Sequence, residues 1–579
     1  MPKITIREED LTSAGITNNS TNAVYIPGYA VMGPVNTPTL CESLEDFQAI
    51  FGTSPYIFRH NQDWPTGFDS NATPAGYFAE EGDAEKSFIM ASELLRQGLP
   101  VYYERVFPAD GIDAWSAICN FTATVEKAPV VVLTLKSATP GLVSKDLYCK
   151  VEVDTVPLNE SGAGANATYY ILSVGRKANV DLGTPEVSEV STKFTFDNQL
   201  AKDYSSIAYY KDLQGQVDNS GLVTFNFTGN AQTIEFIPEH EYDFALTPPK
   251  PEGVVEDEFT VAEMYKYLSL EDTDDDTMET QGYARFLDKG EYVLKFLTSG
   301  AYPVFEYKDN AIVENMLTKA ADRGDAIALF DHTPKNDRVL AATNTNSVYA
   351  KVRKFCQTNR VNDLSEPIYT YGAMYTPYGI YSNSVIDGNV ELPGSFAYLL
   401  SLAVSVVNNA NWYAVAGVTR GTVPNLISLS QNVTNAIAES YTPRDDVSIN
   451  PITNIKPYGL TIWGNRTLKN NAKASDLTAT SFMNVRQLVC DVKRNVFVAS
   501  KRLTFEQNND VLWINFKAQL VPVLEEMLQG NGLTGYQLIR QKTTAKATLK
   551  AKIVLQVVEA VEDFDITISL TDSESTISE

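Results

Sequence analysis

The spacing of apolar residues changes along the chain, and this change restricts the possible folds more than any other feature of the sequence. Strand-like and helix-like segments alternate over residues 21–128 and again over 286–475. One example is a strand at 24–31, a helix at 84–97 and a strand at 101–106. Alternation of this kind is typical of α/β domains. A chain of 579 residues has room for about three or four domains, so we predict an α/β multidomain protein.

Residues 129–285 show short strands separated by turns in place of this alternation. They carry 26 acidic and 11 basic side chains, a net charge of −15 out of −26 for the whole chain. Such a density of like charges is unfavourable at a crowded position inside an assembly. We therefore predict an inserted, β-rich, acidic domain that lies on the outside, between two parts of one α/β core.

The last part of the chain, residues 476–579, predicts an α+β domain. Apolar residues at spacings of three and four indicate a long helix from Phe482 to Leu503. A second helix follows Asp510, its expected N-cap, and ends at Gly530.

Both ends of the chain show the alternation of period two that is typical of strands. Residues 1–20 form a short predicted strand on a polar leader, and residues 547–557 and 564–570 predict a terminal strand pair. Exposed strands of this kind can pair with a sheet of a neighbouring molecule. The residues that we expect to face such a partner are Ile4, Ile6, Phe564, Ile566, Ile568 and Leu570.

Composition argues against several classes of protein. The net charge of −26 would repel a phosphate backbone, so nucleic acid is not an expected partner. The five cysteines include no Cys-x-x-Cys pair, which argues against structural zinc and a disulfide framework and favours assembly in a reducing compartment. No signal peptide and no apolar run of about 18 residues is visible, so we predict no export by a classical signal and no membrane insertion.

Residues for catalysis are scarce. Histidine occurs at His60, His240 and His332, and none of them lies in a known catalytic or zinc motif. His332 follows Asp331 directly, and neighbours on a strand point to opposite faces, so a catalytic hydrogen bond between them is not expected. We predict no enzyme activity, no catalytic or metal-binding residues and no cofactor.

Two segments match ligand-binding motifs by letters alone. The run 530–535 fits a dinucleotide fingerprint, but it follows a predicted helix and precedes a strand, the reverse of the required order. The acidic run 271–276 resembles the start of an EF-hand, yet Thr277 replaces the glycine and Tyr283 replaces the bidentate glutamate. We expect a turn at the first segment and a solvated loop at the second, where weak cation binding at 272–276 is the alternative.

Several segments, in order, resemble the contractile tail sheath proteins of bacteriophages and related injection systems. The resemblance is strongest from Tyr458 onwards. It includes Gly459-Leu460-Thr461-Ile462-Trp463-Gly464-Asn465-Arg466-Thr467-Leu468, the Arg486 helix, Phe505-Glu506-Gln507-Asn508-Asn509 and the glycine-rich turn from Gly530 to Tyr536. Upstream it includes Ala416-Gly417-Val418-Thr419-Arg420-Gly421, Gly33-Pro34-Val35-Asn36-Thr37-Pro38, Phe47 and Phe51-Gly52. The acidic insert has no counterpart that we can name.

This resemblance implies a fold and a function. The core would be subtilisin-like in fold but without catalytic residues. Subunits would form six-membered rings stacked around a tail tube in the virion tail, after assembly in the host cytoplasm. Contraction would release stored conformational energy and drive the tube through a cell envelope. The implied partners are further copies of the chain, the tube protein, and baseplate and tail terminator proteins. The alternatives are a capsid-like or fibre protein and a subtilisin-like hydrolase.

Within this hypothesis, the basic C-terminal domain would face the tube. Residues 476–558 carry 11 basic and 6 acidic side chains, a net charge of +5 in an acidic chain. A basic inner wall would suit an acidic tube, although a solvated helix face is the simpler interpretation. The residues expected to face the tube are Arg486, Lys493, Arg494, Lys501 and Arg502.

Overall fold

The protein was analysed as a computed structural model. The structure describes residues 21–53, 83–106, 116–125, 128–157, 166–179, 184–228, 234–237, 240–246, 268, 281–302, 311–332, 339–358, 368–383, 388–469, 471, 473, 475, 477–542, 547–560 and 562. His60, the acidic run 271–276 and the predicted strands at 1–20 and 564–570 therefore lie outside the described residues.

The described elements alternate between helix and strand on both sides of a strand-rich middle. The strands are β1 (Val24–Gly28), β2 (Thr39–Cys41), β3 (Val101–Arg105), β4 (Ala117–Val125), β5 (Ala128–Ser137), β6 (Leu147–Pro157), β7 (Asn166–Arg176), β8 (Val187–Thr195), β9 (Ala208–Tyr209), β10 (Val223–Phe227), β11 (Tyr242–Asp243), β12 (Ala245–Leu246), β13 (Phe296–Thr298), β14 (Ile327–Phe330), β15 (Gly372–Thr376), β16 (Gly379–Asn383), β17 (Gly388–Leu392), β18 (Leu426–Leu429), β19 (Asn450–Ile455), β20 (Gly459–Ile462), β21 (Leu533–Gln541) and β22 (Lys550–Val557). The helices are α1 (Leu44–Phe51), α2 (Asp83–Arg96), α3 (Asn198–Asp203), α4 (Tyr210–Leu213), α5 (Ala311–Arg323), α6 (Val348–Thr358), α7 (Gly394–Asn408), α8 (Gly417–Arg420), α9 (Asn435–Ser440), α10 (Met483–Leu503) and α11 (Asp510–Gln529).

An eight-stranded sheet forms the main core, in the order β2-β3-β1-β13-β14-β15-β19-β20. Its six central strands are parallel, and β2 and β20 are antiparallel edge strands. Every residue of β1, β3, β13, β14 and β15 is buried, as expected where helices cover both faces of a parallel sheet. The mixed α/β character that the sequence predicts is therefore confirmed, and the main sheet combines strands from before and after the β-rich middle.

The β-rich middle is a pair of sheets with a core of its own. A four-stranded sheet (β10-β5-β4-β12) and a five-stranded sheet (β11-β6-β7-β8-β9) contribute side chains to one apolar cluster. We call this unit the insert. Its first strand is β4, which forms an antiparallel hairpin with β5 across the expected boundary at residue 128. The insert therefore begins at about residue 117, because β4 shares the core of its partner strand.

Two buried arginines attach the insert to the main core. Arg105, at the end of β3, donates to the carbonyl oxygens of Gly33 (3.2 Å) and Pro140 (2.7 Å). Arg176, at the end of β7, donates to the Pro185 carbonyl oxygen and contacts the sulfur of Met32. Arg105 thus bonds to the backbone of both units, while Arg176 reaches the core through the Met32 side chain, and both arginines are buried where the insert joins the core.

The C-terminal domain consists of α10, α11 and a two-stranded antiparallel sheet, β21-β22. The N-cap of α11 is Asn509 rather than the expected Asp510, because the Asn509 side chain accepts a hydrogen bond from the Leu512 amide (3.0 Å). Among the described residues, the partner of residues 550–557 is β21; the predicted strand at 564–570 lies outside those residues. The alternation of period two identified the strand but could not identify its neighbour.

Candidate assembly surfaces

Helix α10 is buried on two sides, which the sequence did not reveal. Its apolar residues Leu488 and Val492 pack with α11, as the spacing predicts. A second, largely polar face lies against the main core. That face contains Arg486, Gln487, Cys490, Asp491, Arg494 and Asn495, all of them buried. The helix therefore joins the C-terminal domain to the core through polar contacts.

Arg486 belongs to this buried face and cannot contribute to an exposed basic wall. Its side chain is 2% exposed. The guanidinium carbon lies 4.1 Å from the centre of the Tyr371 ring, and one nitrogen donates to the Thr370 hydroxyl. A cation over an aromatic face retains attraction without water. The prediction that Arg486 faces a tube is therefore wrong.

Arg494 is also buried, with Asp325 and Arg323 as neighbours. It donates to the Lys289 carbonyl oxygen (2.6 Å) and lies 3.7 Å from the Asp325 carboxylate, which pairs with Arg323 at 2.7 Å. The prediction that Arg494 faces a tube is therefore also wrong, because the side chain is buried. Buried arginine is rare, so a sequence pattern favours a solvent-exposed position for an arginine side chain. The one available signal was the four-residue spacing that places both arginines on the face of Cys490.

Lys493, Lys501 and Arg502 remain exposed on α10. The Lys493 ammonium group donates to the Tyr371 hydroxyl at 2.5 Å, and Lys501 and Arg502 lie in the last turn of the helix. Cations are favourable at a helix C-terminus because of the helix dipole. We call these three residues the basic patch.

A buried ion pair holds α10 to the first strands of the core. The Lys295 ammonium group, just before β13, lies 2.6 Å from the Asp491 carboxylate, and both side chains are 2% exposed. Burial raises the pKa of Asp491, and Lys295 opposes that rise. Lys295 also donates to Asn22, whose amide donates to Asn411. The pair therefore connects helix, sheet and the start of the described chain.

The last described residue is also anchored. Glu562 forms an ion pair with Arg466, which is buried and lies with its guanidinium carbon 4.6 Å from the centre of the Phe482 ring. Phe482 directly precedes α10, and Asn22 contacts a residue that neighbours Trp412. The segment before Asn22 and the segment after Glu562 contain the residues that we expect to pair with a neighbouring subunit. These residues lie outside the described residues: Ile4, Ile6, Phe564, Ile566, Ile568 and Leu570.

The sheet β21-β22 has one covered face and two open edges. Ala551, Ile553 and Leu555 pack on the helices, while Lys550, Lys552 and Val554 point outward. Within the part of the chain that the structure describes, no third strand pairs with either edge. Unpaired edges present free N–H and C=O groups that accept a further strand. Residues 550–557 already pair with β21. The C-terminal segment that we expect to pair with a neighbouring subunit is therefore limited to residues after 557.

The glycine-rich run after α11 is a turn around Trp412, as the order of elements predicts. The Trp412 indole donates to the Gly530 carbonyl oxygen at 2.8 Å. A Cβ atom on Gly530 or Gly532 would lie 2.5 or 2.7 Å from the Trp412 ring. These glycines therefore permit close packing between a loop of the core and the C-terminal domain.

The histidines are not arranged for catalysis in the described region. His332 is buried, neither of its ring nitrogens has a hydrogen-bond partner, and burial lowers its pKa to about 3. The neighbouring Asp331 accepts hydrogen bonds from the Ser395 amide (2.9 Å) and hydroxyl (2.5 Å) instead. Burial raises the pKa of Asp331 to about 7. The His240 ring packs against Tyr242.

The described residues contain no group of three or more potential ligands that could hold a metal ion. Among the same residues, no helix combines the length and the apolar character needed to cross a membrane.

Comparison with known proteins gave matches among solved structures. No protein-family model and no curated protein matches the chain. A sheath tail protein from Listeria innocua is 11% identical, with a TM-score of 0.49, over 93% of this chain and 95% of that one. A sheath tail protein from Desulfitobacterium hafniense is 10% identical, with a TM-score of 0.46, over 96% and 100%.

The sheath complex of an extracellular contractile injection system in its contracted state is 18% identical, with a TM-score of 0.38, over 51% of this chain and 76% of that one. All three are sheath proteins. They are the kind of protein that the sequence segments resemble.

Proposed function

We propose that this chain is the sheath subunit of a contractile tail or injection system. It polymerises with copies of itself as stacked six-membered rings around a tail tube, contacts baseplate and terminator proteins, and contracts to drive the tube through a cell envelope. Its core is of the subtilisin-like type without catalytic function. The subunit belongs to the tail of the particle and assembles in the cytoplasm of the host.

The observation that carries this proposal is the sheet β21-β22, whose edges are open among the described residues, together with the anchored residues Asn22 and Glu562, from which the two terminal segments continue. A two-stranded sheet is marginally stable by itself and gains from further strands. The terminal segments beyond Asn22 and Glu562 show the alternation of period two that such strands need. A terminal segment of one subunit that pairs with the sheet of the next is a heterologous contact, which builds rings or helices.

Three of the segments that resemble sheath proteins, 459–468, the Arg486 helix and the turn from Gly530, support the proposal because they meet in one region of the structure. Asn465 donates to Asn484 at the start of α10, and Asn484 donates to the Trp412 carbonyl oxygen. Trp412 in turn contacts the turn at Gly530. Stretches distant in sequence thus form the joint that supports the open sheet.

Electron microscopy of the purified full-length protein tests the proposed function. We expect tubes with six-fold end views, alone or on added tail tubes. Thin fibres or closed shells would favour a fibre or capsid-like protein, and dispersed particles that cleave peptides would favour a hydrolase.

Deletion of residues 1–12 should leave a folded monomer that no longer forms tubes. The deleted segment includes Ile4 and Ile6 but ends ten residues before Asn22, so the buried network around Lys295 stays intact. Sedimentation and microscopy measure the loss, and an unchanged melting temperature is the control for folding. Normal tubes from this variant would contradict the pairing of the N-terminal segment.

The basic patch provides a second test, directed at the tube. Replacement of Lys493, Lys501 and Arg502 by Gln should weaken assembly on isolated tubes, most clearly at low ionic strength, because exposed ion pairs contribute only about 0 to 1 kcal/mol each and are screened by salt. The matched control removes three exposed lysines of the insert, Lys193, Lys202 and Lys211. Equal assembly by both variants across a salt series would show that the patch does not contact the tube.

Contraction requires a source of energy, and the sequence contains no phosphate-binding loop for nucleotide hydrolysis. The energy is then stored during assembly and released when a barrier falls. Burial of an extra few hundred Å² of apolar surface per subunit would supply several kcal/mol, at roughly 25 cal/mol per Å². We expect the contracted sheath to resist heat and denaturant better than the extended one. A more stable extended form at equilibrium would contradict this source of energy.

A further inference from the structure

Two buried thiols face each other across the core of the insert. Cys119 lies on β4 of the four-stranded sheet and Cys149 on β6 of the five-stranded sheet. Their sulfur atoms are 3.7 Å apart. The other three cysteines lie in the main core, and all five are free thiols.

The positions of the two thiols follow from the strands that carry them. Ala117, Cys119 and Phe121 are alternate residues of β4 that point into the shared core, and Leu147, Cys149 and Val151 do the same on β6. Pairing within each sheet fixes both strands, with Leu135 beside Cys119 and Val174 beside Cys149. A disulfide needs its sulfur atoms about 2.05 Å apart, so the two sulfurs must approach by roughly 1.7 Å.

We propose that Cys119 and Cys149 form a latent disulfide, which a hydroperoxide closes and which then ties the two sheets of the insert together. Sequence patterns do not indicate this pair, because the two cysteines are 30 residues apart and match no motif. The proposal does not depend on the proposed function of the chain.

The chemistry requires one peroxide molecule for each disulfide. The Cys119 thiolate attacks a peroxide oxygen, the O–O bond breaks, and a sulfenic acid and hydroxide result, which takes up a proton to give water. The Cys149 sulfur then attacks the sulfenic sulfur, the disulfide bond forms, and the hydroxyl group leaves as a second water. The two sulfurs together lose two electrons, and hydrogen peroxide becomes two molecules of water.

The order of events follows from the surroundings of each thiol. Cys119 is 6% exposed and Cys149 is fully buried, so a small oxidant reaches Cys119 first. The Cys149 thiol donates a hydrogen bond to the Cys119 sulfur, which lowers the pKa of Cys119 against the effect of burial. The same contact and burial raise the pKa of Cys149. Cys119 is therefore the attacking thiol and Cys149 the resolving one.

Mass spectrometry of the full-length protein tests the proposal. The reduced protein is treated with hydrogen peroxide, unfolded, and alkylated with a maleimide. We expect the number of alkylated cysteines to fall from five to three, with a peptide pair that links Cys119 to Cys149 and a loss of about 2 Da for the two departed hydrogens. A dithiol reductant should restore all five.

Two kinds of variant serve as controls. Cys119→Ala should keep four alkylated cysteines after peroxide, and Cys149→Ala, which lacks the resolving thiol, should form no link; Cys356→Ala, which removes a buried thiol of the main core, should fall from four to two. Oxidation should also raise the melting temperature of the insert by roughly 5 to 10 °C in the wild type and in Cys356→Ala. Five alkylated cysteines after treatment, a gain of oxygen without a link, or links to other cysteines would each overturn the proposal, even if an alanine variant fails to fold.

Discussion

Replacement of Lys295 by Met should lower the free energy of unfolding by about 3 to 5 kcal/mol, the usual cost of leaving one partner of a buried ion pair alone. Asp491 would then be a buried carboxylate without its cation, since both side chains are almost fully inaccessible to water. The main-chain groups of Lys295 link Ala23 to Ile327, so the side chain can change without loss of these strand contacts. Thermal and urea unfolding followed by circular dichroism measure the effect.

A double variant separates charge burial from loss of packing. Lys295→Met combined with Asp491→Leu removes both charges, and replacement of a buried pair by apolar side chains is often neutral or stabilising. We expect this variant to recover most of the lost stability. The matched surface control is Lys177→Met, which removes the exposed partner of Glu241 and should cost at most about 1 kcal/mol. Equal losses for Lys295→Met and Lys177→Met would show that water reaches Asp491.

Replacement of Asp331 by Asn should stabilise the protein at neutral pH, by up to about 4 kcal/mol. The folded state raises the pKa of Asp331 from 3.8 to about 7 through burial, and each unit corresponds to about 1.36 kcal/mol. Folding therefore favours the protonated acid. Its contribution to stability is complete below about pH 4 and is lost as the pH rises to about 7. In Asp331→Asn the amide oxygen still accepts from the Ser395 amide, the amide nitrogen donates to the Ser395 hydroxyl oxygen in place of the second bond, and the side chain does not ionise.

The measurement is the difference in unfolding free energy between Asp331→Asn and the wild type. It should be small at pH 4, grow up to about pH 7 and then remain constant. The variant is compared with the wild type because protonation of His332 changes the unfolding free energy with pH in the opposite direction. Burial lowers its pKa from 6.5 to about 3, so its contribution is lost as the pH falls. His332→Phe should accordingly gain most at low pH, and a constant difference for Asp331→Asn from pH 4 to 8 would contradict the buried acid.

The sequence predicted those parts of the fold in which burial follows hydrophobic spacing. The strands at 24–31 and 101–106, the helix before Gly98 and both C-terminal helices are found within a few residues of the expected positions. Their apolar residues repeat at the period of the helix or strand, because burying one face of an element requires apolar side chains at that period.

Burial of polar residues could not be predicted in this way. Arg486 and Arg494 look like exposed residues of a charged helix, and only the positions of Tyr371 and Asp325 in space make their burial favourable. Strand partners were hidden for a similar reason. Alternation in residues 550–557 identifies the inner face of the strand, but β21 becomes its neighbour because α11 returns the chain to that side.

The order of strands in the main sheet has a consequence for synthesis on the ribosome. Tyr25 of β1 pairs beside Leu297 of β13, so the centre of the sheet joins segments made about 270 residues apart. At translation rates of roughly 5 to 20 residues per second, β1 waits about 14 to 54 s for β13, whereas β2 and β3 are made soon after β1. The whole insert emerges during this interval, and its separate apolar core can form first. The nascent chain must therefore keep the unpaired edge of the buried strand β1 from aggregation until the later half of its own core arrives.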